Sequence, residues 1–131
     1  MLRGAATAAA RQAYAPYSGL RVGAALLSIR GGEYRGCNVE NGALPIGGCA
    51  ERAAIAAGVL AEGRDFALAA IAVVAFSREG MALAVTPCGA CRQAIVEFGP
   101  DALVEFLAPD GCWFETTSRD LLPYRFVLPP T

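Results

Sequence analysis

The sequence has no histidine and no lysine. A structural zinc site normally closes its coordination sphere with a fourth cysteine or histidine, so here only cysteine could complete one. All eleven basic residues are arginine, a bias that carries no functional reading. Charge is scarce as well. Charged residues make up 18% of the chain and the net charge is −1, which argues against a nucleic-acid backbone as the main partner. Low charge does not mean disorder, because 55% of the residues are hydrophobic. Long apolar runs are missing too. The most apolar stretch, Phe66 to Phe76, is too short to span a bilayer and reads as a buried strand, so no membrane partner is expected. The cysteines number five. An odd count, with three cysteines in the motifs below, argues against a disulfide framework and points to a reducing, cytoplasmic compartment. At 131 residues the chain reads as a single domain, 1–131, long enough to bury a proper core.

What is present is concentrated in two short stretches, Cys49-Ala50-Glu51-Arg52 and Pro87-Cys88-Gly89-Ala90-Cys91. Three cysteines and one acid at these spacings point to a zinc ion with a glutamate beside it. A catalytic zinc uses three protein ligands and leaves a fourth position to water. Glu51 follows Cys49 too closely to make a natural fourth ligand, and is better placed to reach that water. Taken alone, Cys-x-x-Cys is more often a structural half-site or a redox pair. Cys37 and Cys112 sit in unrelated contexts and read as small buried hydrophobes. Without a fourth ligand and with Glu51 present, catalytic zinc is the favoured reading. Each cysteine element comes before or inside an alanine-rich helical pattern, Ala50 to Ala61 and Arg92 to Phe98, with Pro87 at the second entrance. Both helix N-termini would then face the metal, where free N–H groups favour thiolates.

Taken in order, Leu2 to Tyr14 is helix-prone and Pro16 ends it. Arg21 to Ile29 and Glu33 to Val39 read as a hairpin about Gly31-Gly32. Gly42 to Gly48 is a loop into the first cysteine helix, and Gly63-Arg64-Asp65 ends that helix before a strand, Leu68 to Phe76. A short segment, Met81 to Val85, precedes Pro87. Gly99-Pro100 stops the second cysteine helix. Two shorter strands follow, Leu103 to Leu107 and Cys112 to Thr117, turning at Asp110-Gly111. Ser118 to Leu121 is a last helical turn. Helices interleaved with strands indicate a layered α/β architecture. The hairpin is antiparallel while helix crossovers favour parallel neighbours, so a mixed sheet is expected.

Beside the metal motifs stand Tyr14-Ala-Pro-Tyr17-Ser18, Val22-Gly-Ala-Ala-Leu26, Asn38-Val39-Glu40-Asn41, Pro87 to Gln93, and Leu121-Leu-Pro123 with Phe126. Together, and in this order, they resemble the small, three-cysteine class of cytidine deaminases over most of the chain. The resemblance implies a three-layer α/β/α sandwich with a five-stranded mixed sheet. It also implies a homotetramer whose active sites borrow residues from neighbouring subunits. It assigns Cys49, Cys88 and Cys91 to one zinc per chain and Glu51 to proton shuttling. Asn38 and Glu40 match positions that bind ribose hydroxyls, the Ala50 backbone contacts the base, and Phe126 reaches a neighbour's site. The implied reaction is hydrolytic deamination of cytidine or deoxycytidine to uridine or deoxyuridine and ammonia, within pyrimidine salvage and with no organic cofactor.

The residues support several of these roles independently. A carboxylate accepts hydroxyl protons and a carboxamide both donates and accepts, so Glu40 and Asn38 suit a vicinal diol. Three thiolates and one zinc sum to −1, and a guanidinium at Arg52 would draw that charge off. The first 32 residues hold four arginines and no acid, which slightly resembles a transit peptide. Tyr14 to Ser18 already belongs to the matched pattern, however, so the start reads as mature protein. Two positions depart from the family. Leu20 and Leu44 stand where it usually has phenylalanine and tyrosine. The departure opens a second reading, a deaminase of a modified cytosine nucleoside of the blasticidin type. A third is a zinc protein without activity. Asn38 and Glu40 argue against the second, and Glu51 against the third.

Overall fold

Strand β1 (Arg21–Ser28) lies next to the edge of the sheet and faces a different helix layer on each side. The computed structural model describes residues 1–131. β1 pairs antiparallel with β2 (Glu33–Cys37) on one flank and with β3 (Leu68–Phe76) on the other. β3 then pairs parallel with β5 (Leu103–Leu107), and β5 antiparallel with β6 (Trp113–Thr117). The order is therefore β2-β1-β3-β5-β6, the mixed five-stranded arrangement expected. A two-residue strand, β4 (Ala82–Leu83), adds a sixth member against the end of β3.

Helix α1 (Leu2–Ala10) covers one face and helices α2 (Ala50–Glu62) and α3 (Gly89–Phe98) the other. Alternation along β1 decides this. Ala24 and Leu26 join the larger core with Ile71, Val73, Ile95, Val104 and Phe106, whereas Ala25 packs with Ala6, Ala10 and Val74. Burying each large aliphatic side chain contributes about 1.5–3 kcal/mol, so most of the stability comes from the α2/α3 side. Close approach is set by glycines. A Cβ at Gly23 would sit on the Ala6 carbonyl and the Ala10 nitrogen, and one at Gly36 on the Ala50 carbonyl and the Ala54 nitrogen. α1 and the start of α2 rest directly on the sheet backbone.

The crossovers differ in part from the expectation. Only β3 and β5, joined through α3, are parallel neighbours. β2 and β3, joined through α2, run parallel but have β1 between them. This is what brings the site together. The chain leaves β2 and β3, which run parallel, at the same end of the sheet, so α2 and α3 both begin there, beyond the carboxyl ends of the strands.

α1 ends at Ala10, four residues before the expected Tyr14. The N–H of Tyr14 instead donates to the Asn38 carbonyl, and its own carbonyl accepts from the Glu40 N–H. A tertiary bridge has replaced the last helical turn. α3 begins at Gly89, earlier than propensity indicates, because Cys88 takes the N-cap position. A short helix α4 (Ser118–Leu121) follows β6, capped by the Thr117 hydroxyl. Cys37 is half-buried and Cys112 is exposed, so neither is the buried hydrophobe expected. Cys112 closes the turn after β5, its N–H donating to the Asp110 carboxylate. No helix is long and apolar enough to cross a membrane.

Candidate active site

Cys49 and Cys88 are the N-cap residues of α2 and α3, both with extended backbone and neither capping its helix through the side chain. Their sulfurs are free to meet, and do so at 3.9 Å. Cys91, one turn into α3 and fully buried, completes a cluster whose sulfurs all lie within 4.8 Å of one another. Tetrahedral bonds of ~2.3 Å from one zinc would place its sulfur ligands about 3.8 Å apart, so the spacing fits. No histidine, carboxylate or further cysteine joins the cluster, which leaves the fourth position of a tetrahedral ion to a small ligand.

Two of the thiols, Cys88 and Cys91, are perturbed in opposite directions. Burial pushes the Cys91 thiol far up, reinforced by the Glu51 carboxylate and the neighbouring sulfurs. Cys88 is also raised by burial, but the Cys91 backbone N–H and hydrogen bonds with Cys91 and Cys49 bring it below its ordinary value. Two helix N-termini add positive potential. Arg52, on the first turn of α2, donates from Nη2 to Cys49 Sγ at 3.8 Å.

Glu51 is only 4% exposed. Burial holds its carboxyl above the usual range, against the opposing pull of its own backbone N–H, Cys91 and Arg52. A carboxyl raised in this way holds a proton more readily than an ordinary glutamate, which suits a group that must accept a proton and return it. It lines a cavity of about 290 Å³ together with Cys49, Ala50 and Cys88. That volume is at the small end of ligand pockets.

The same cavity is lined by Leu20, Val22, Asn38 and Glu40, and by Val85 and Thr86. The segment from Asn38 to Glu40 is held on both sides, by Tyr14 and by reciprocal backbone bonds between Val39 and Gly48. The Asn38 amide oxygen accepts from the Val22 N–H at 2.7 Å, and its nitrogen donates to the Leu20 carbonyl at 2.8 Å. One N–H and one lone pair remain for a ligand. Glu40 Oε1 accepts from the N–H groups of Tyr17 and Ser18, and Oε2 from the Ser18 hydroxyl. The Ser18 hydroxyl, with both backbone donors, holds the Glu40 carboxyl below its ordinary value.

Thus Cys49, Ala50, Glu51, Cys88, Asn38 and Glu40 line one cavity, Cys91 completes the sulfur cluster, and Arg52 is bonded to Cys49. Phe126 does not line it and is 63% exposed on the C-terminal tail. Leu44 lies outside as well, on a single turn of 3-10 helix beside a neighbouring depression with Tyr17, Ser18 and Glu40. Sequence reading missed Ser18, Val85 and Thr86 as parts of the site. Ser18 stood within a matched motif, but nothing in its spacing signals a carboxylate 22 residues later.

Residues 2–107 match the profile of the cytidine and deoxycytidylate deaminase zinc-binding region. A cytidine deaminase of Sporosarcina psychrophila is 47% identical over 119 residues, covering 90% of this chain and 83% of its own. One from Mycobacterium tuberculosis is 43% identical over 105 residues, covering 79% and 74%. The crystal structure of cytidine deaminase from Burkholderia pseudomallei superposes with a TM-score of 0.84 at 43% identity, covering 95% of this chain and 96% of that one. The structure of the Mycobacterium tuberculosis enzyme gives 0.82 at 41% identity, covering 98% and 96%. With the three-sulfur cluster, the buried glutamate and these likenesses in agreement, the chain belongs to the zinc-binding cytidine and deoxycytidylate deaminase family.

Proposed function

We propose that the protein catalyses zinc-dependent hydrolytic deamination of cytidine and deoxycytidine, yielding uridine or deoxyuridine and ammonia. The observation that carries the reading is the meeting of the Cys49, Cys88 and Cys91 sulfurs beside a cavity that buried Glu51 lines together with Asn38 and Glu40. Cys49, Cys88 and Cys91 would hold the zinc, which when bound would supply the Lewis acidity that makes water a nucleophile at neutral pH.

Glu51 does the proton work. It takes one proton as water adds to carbon 4 of the pyrimidine and delivers it to ring nitrogen 3. It then takes the remaining hydroxyl proton and passes it to the amino group, which leaves as ammonia while the carbonyl forms. Asn38 and Glu40 bind the sugar hydroxyls, and the Ala50 backbone contacts the base. Arg52 offsets the excess negative charge of three thiolates around one dication through its bond to Cys49.

The protein acts as a homotetramer in the cytoplasm, in pyrimidine salvage, with Phe126 of each chain entering a neighbour's site. Supporting this, Phe126 lies outside its own cavity, and Tyr124, Phe126 and Leu128 are exposed together on the tail. The test is absorbance-monitored deamination of cytidine, deoxycytidine, cytosine and a blasticidin-type nucleoside, with light scattering for the assembly. Turnover of the two unmodified nucleosides is expected. Activity on the modified nucleoside alone would replace the substrate assignment, and a monomer would remove the role of Phe126.

A further inference from the structure

Gln93 stands two residues after Cys91 on α3, and its side chain reaches the C-terminal tail. Its Nε2 donates to the Phe126 carbonyl at 3.1 Å, and its Oε1 accepts from the Phe126 N–H at 3.2 Å. A carboxamide bonded to both backbone groups of one residue fixes the position and the orientation of that residue together. The neighbouring Arg92 does related work. Its Nε donates to the Pro87 carbonyl, immediately before Cys88, and its Nη1 to the Leu121 carbonyl at the end of α4.

Beyond Leu122, the two bonds at Phe126 are the only hydrogen bonds that attach residues 123–131 to the rest of the chain. Pro123, Pro129 and Pro130 have no N–H to offer. Packing adds little to that hold, since Tyr124, Val127 and Leu128 are exposed and Arg125 is half-buried. The direction of the Phe126 ring therefore depends on a side chain of the same helix that carries Cys88 at its cap and Cys91 in its first turn.

We infer that Gln93 is a positioning residue for deamination: it clasps the Phe126 backbone and thereby presents the ring to the active site of a neighbouring subunit. This rests on the proposed role of Phe126 and adds the device that sets its geometry. A ring that arrives correctly placed strengthens nucleoside binding, whereas the chemistry at Glu51 does not depend on it. The signature is a change in KM with kcat preserved.

The test is a double-mutant cycle on the zinc-loaded oligomer, pairing Gln93→Leu, which keeps the packing, with Phe126→Ala, which keeps the clasped backbone. Gln93→Leu, which removes both bonds, is expected to raise KM for cytidine about five- to a hundredfold, the range for losing two modest hydrogen bonds. Turnover at saturation, zinc content and subunit mass should match the parent. In the Phe126→Ala background the same substitution should change KM no further. An unchanged KM in Gln93→Leu, or an equal rise in both backgrounds, overturns the inference. An unchanged KM in Phe126→Ala alone overturns instead the role of Phe126 on which it rests. Loss of zinc or of subunit mass in Gln93→Leu would show Gln93 to be structural and would also overturn it.

Discussion

Ser18 holds both oxygens of Glu40: its backbone N–H donates to Oε1 at 3.1 Å, and its hydroxyl donates to Oε2. The carboxylate is thereby aimed, and kept ionised at lower pH than an ordinary glutamate, whose value is about 4.3. The sign follows from the direction. A depressed carboxylate makes its contribution above its titration point and loses it as pH falls through that point. Ser18→Ala should move the Glu40 titration to higher pH, read from its side-chain carbon by NMR, and should raise KM for cytidine at neutral pH. An unmoved titration would show that the two backbone donors suffice.

The sulfur cluster predicts metal dependence. Replacing Cys49, Cys88 or Cys91 with alanine should strip zinc and lower the melting temperature, because metal binding and folding share free energy. Elemental analysis of Cys88→Ala checks this directly, and full metal content would remove Cys88 from the ligand set.

Glu51 should separate chemistry from structure. Glu51→Gln keeps size and burial, so zinc and fold should persist while turnover falls by roughly 10²–10⁴-fold or more, since one residue serves successive proton transfers. Steady-state kinetics beside metal analysis decides it. Half of the parent activity would place the proton shuttle elsewhere.

Two glycines should respond with opposite signs. A Cβ at Gly36 would meet backbone atoms of Ala50 and Ala54, which cannot yield without moving the start of α2. Gly36→Ala should cost about 1–3 kcal/mol, as overpacking does, and weaken zinc retention by displacing Cys49. Gly4 lies exposed in α1 with open space at its Cβ position, so Gly4→Ala should stabilise by about 0.5–1 kcal/mol. Denaturant midpoints compare the two.

Local chemistry made much of this legible in one dimension. β3 and β5 were readable closely, because β3 is an apolar run between Asp65 and the loop at Ser77 to Gly80, and β5 lies between Asp101 and Pro109. The cysteine spacing located the cluster because helix caps and metal ligands are local patterns. What escaped was tertiary. The end of α1 is decided by a bridge from Tyr14 to the Asn38–Glu40 segment, and Cys112 is exposed because a turn claims its backbone. The clasps of Ser18 on Glu40 and of Gln93 on Phe126 span 22 and 33 residues, distances at which no periodicity operates.

Leu20 lines the cavity, and Asn38 fixes it there by accepting from Val22 and donating to the Leu20 carbonyl. Its side chain stands where the resemblance places an aromatic ring. Stacking a base on such a ring is worth on the order of 1–3 kcal/mol in single-stranded nucleic-acid sites, and leucine offers packing without a π-face. Leu44, outside the cavity and 74% exposed, is not positioned to compensate. Leu20→Phe should therefore lower KM for cytidine and penalise analogues enlarged on the ring, while turnover at saturation stays similar, because the proton transfers at Glu51 do not involve position 20. Paired kinetics on cytidine and a ring-substituted analogue give the comparison. If neither constant moves, position 20 shapes the wall of the cavity without touching the base, and the departure is a packing substitution.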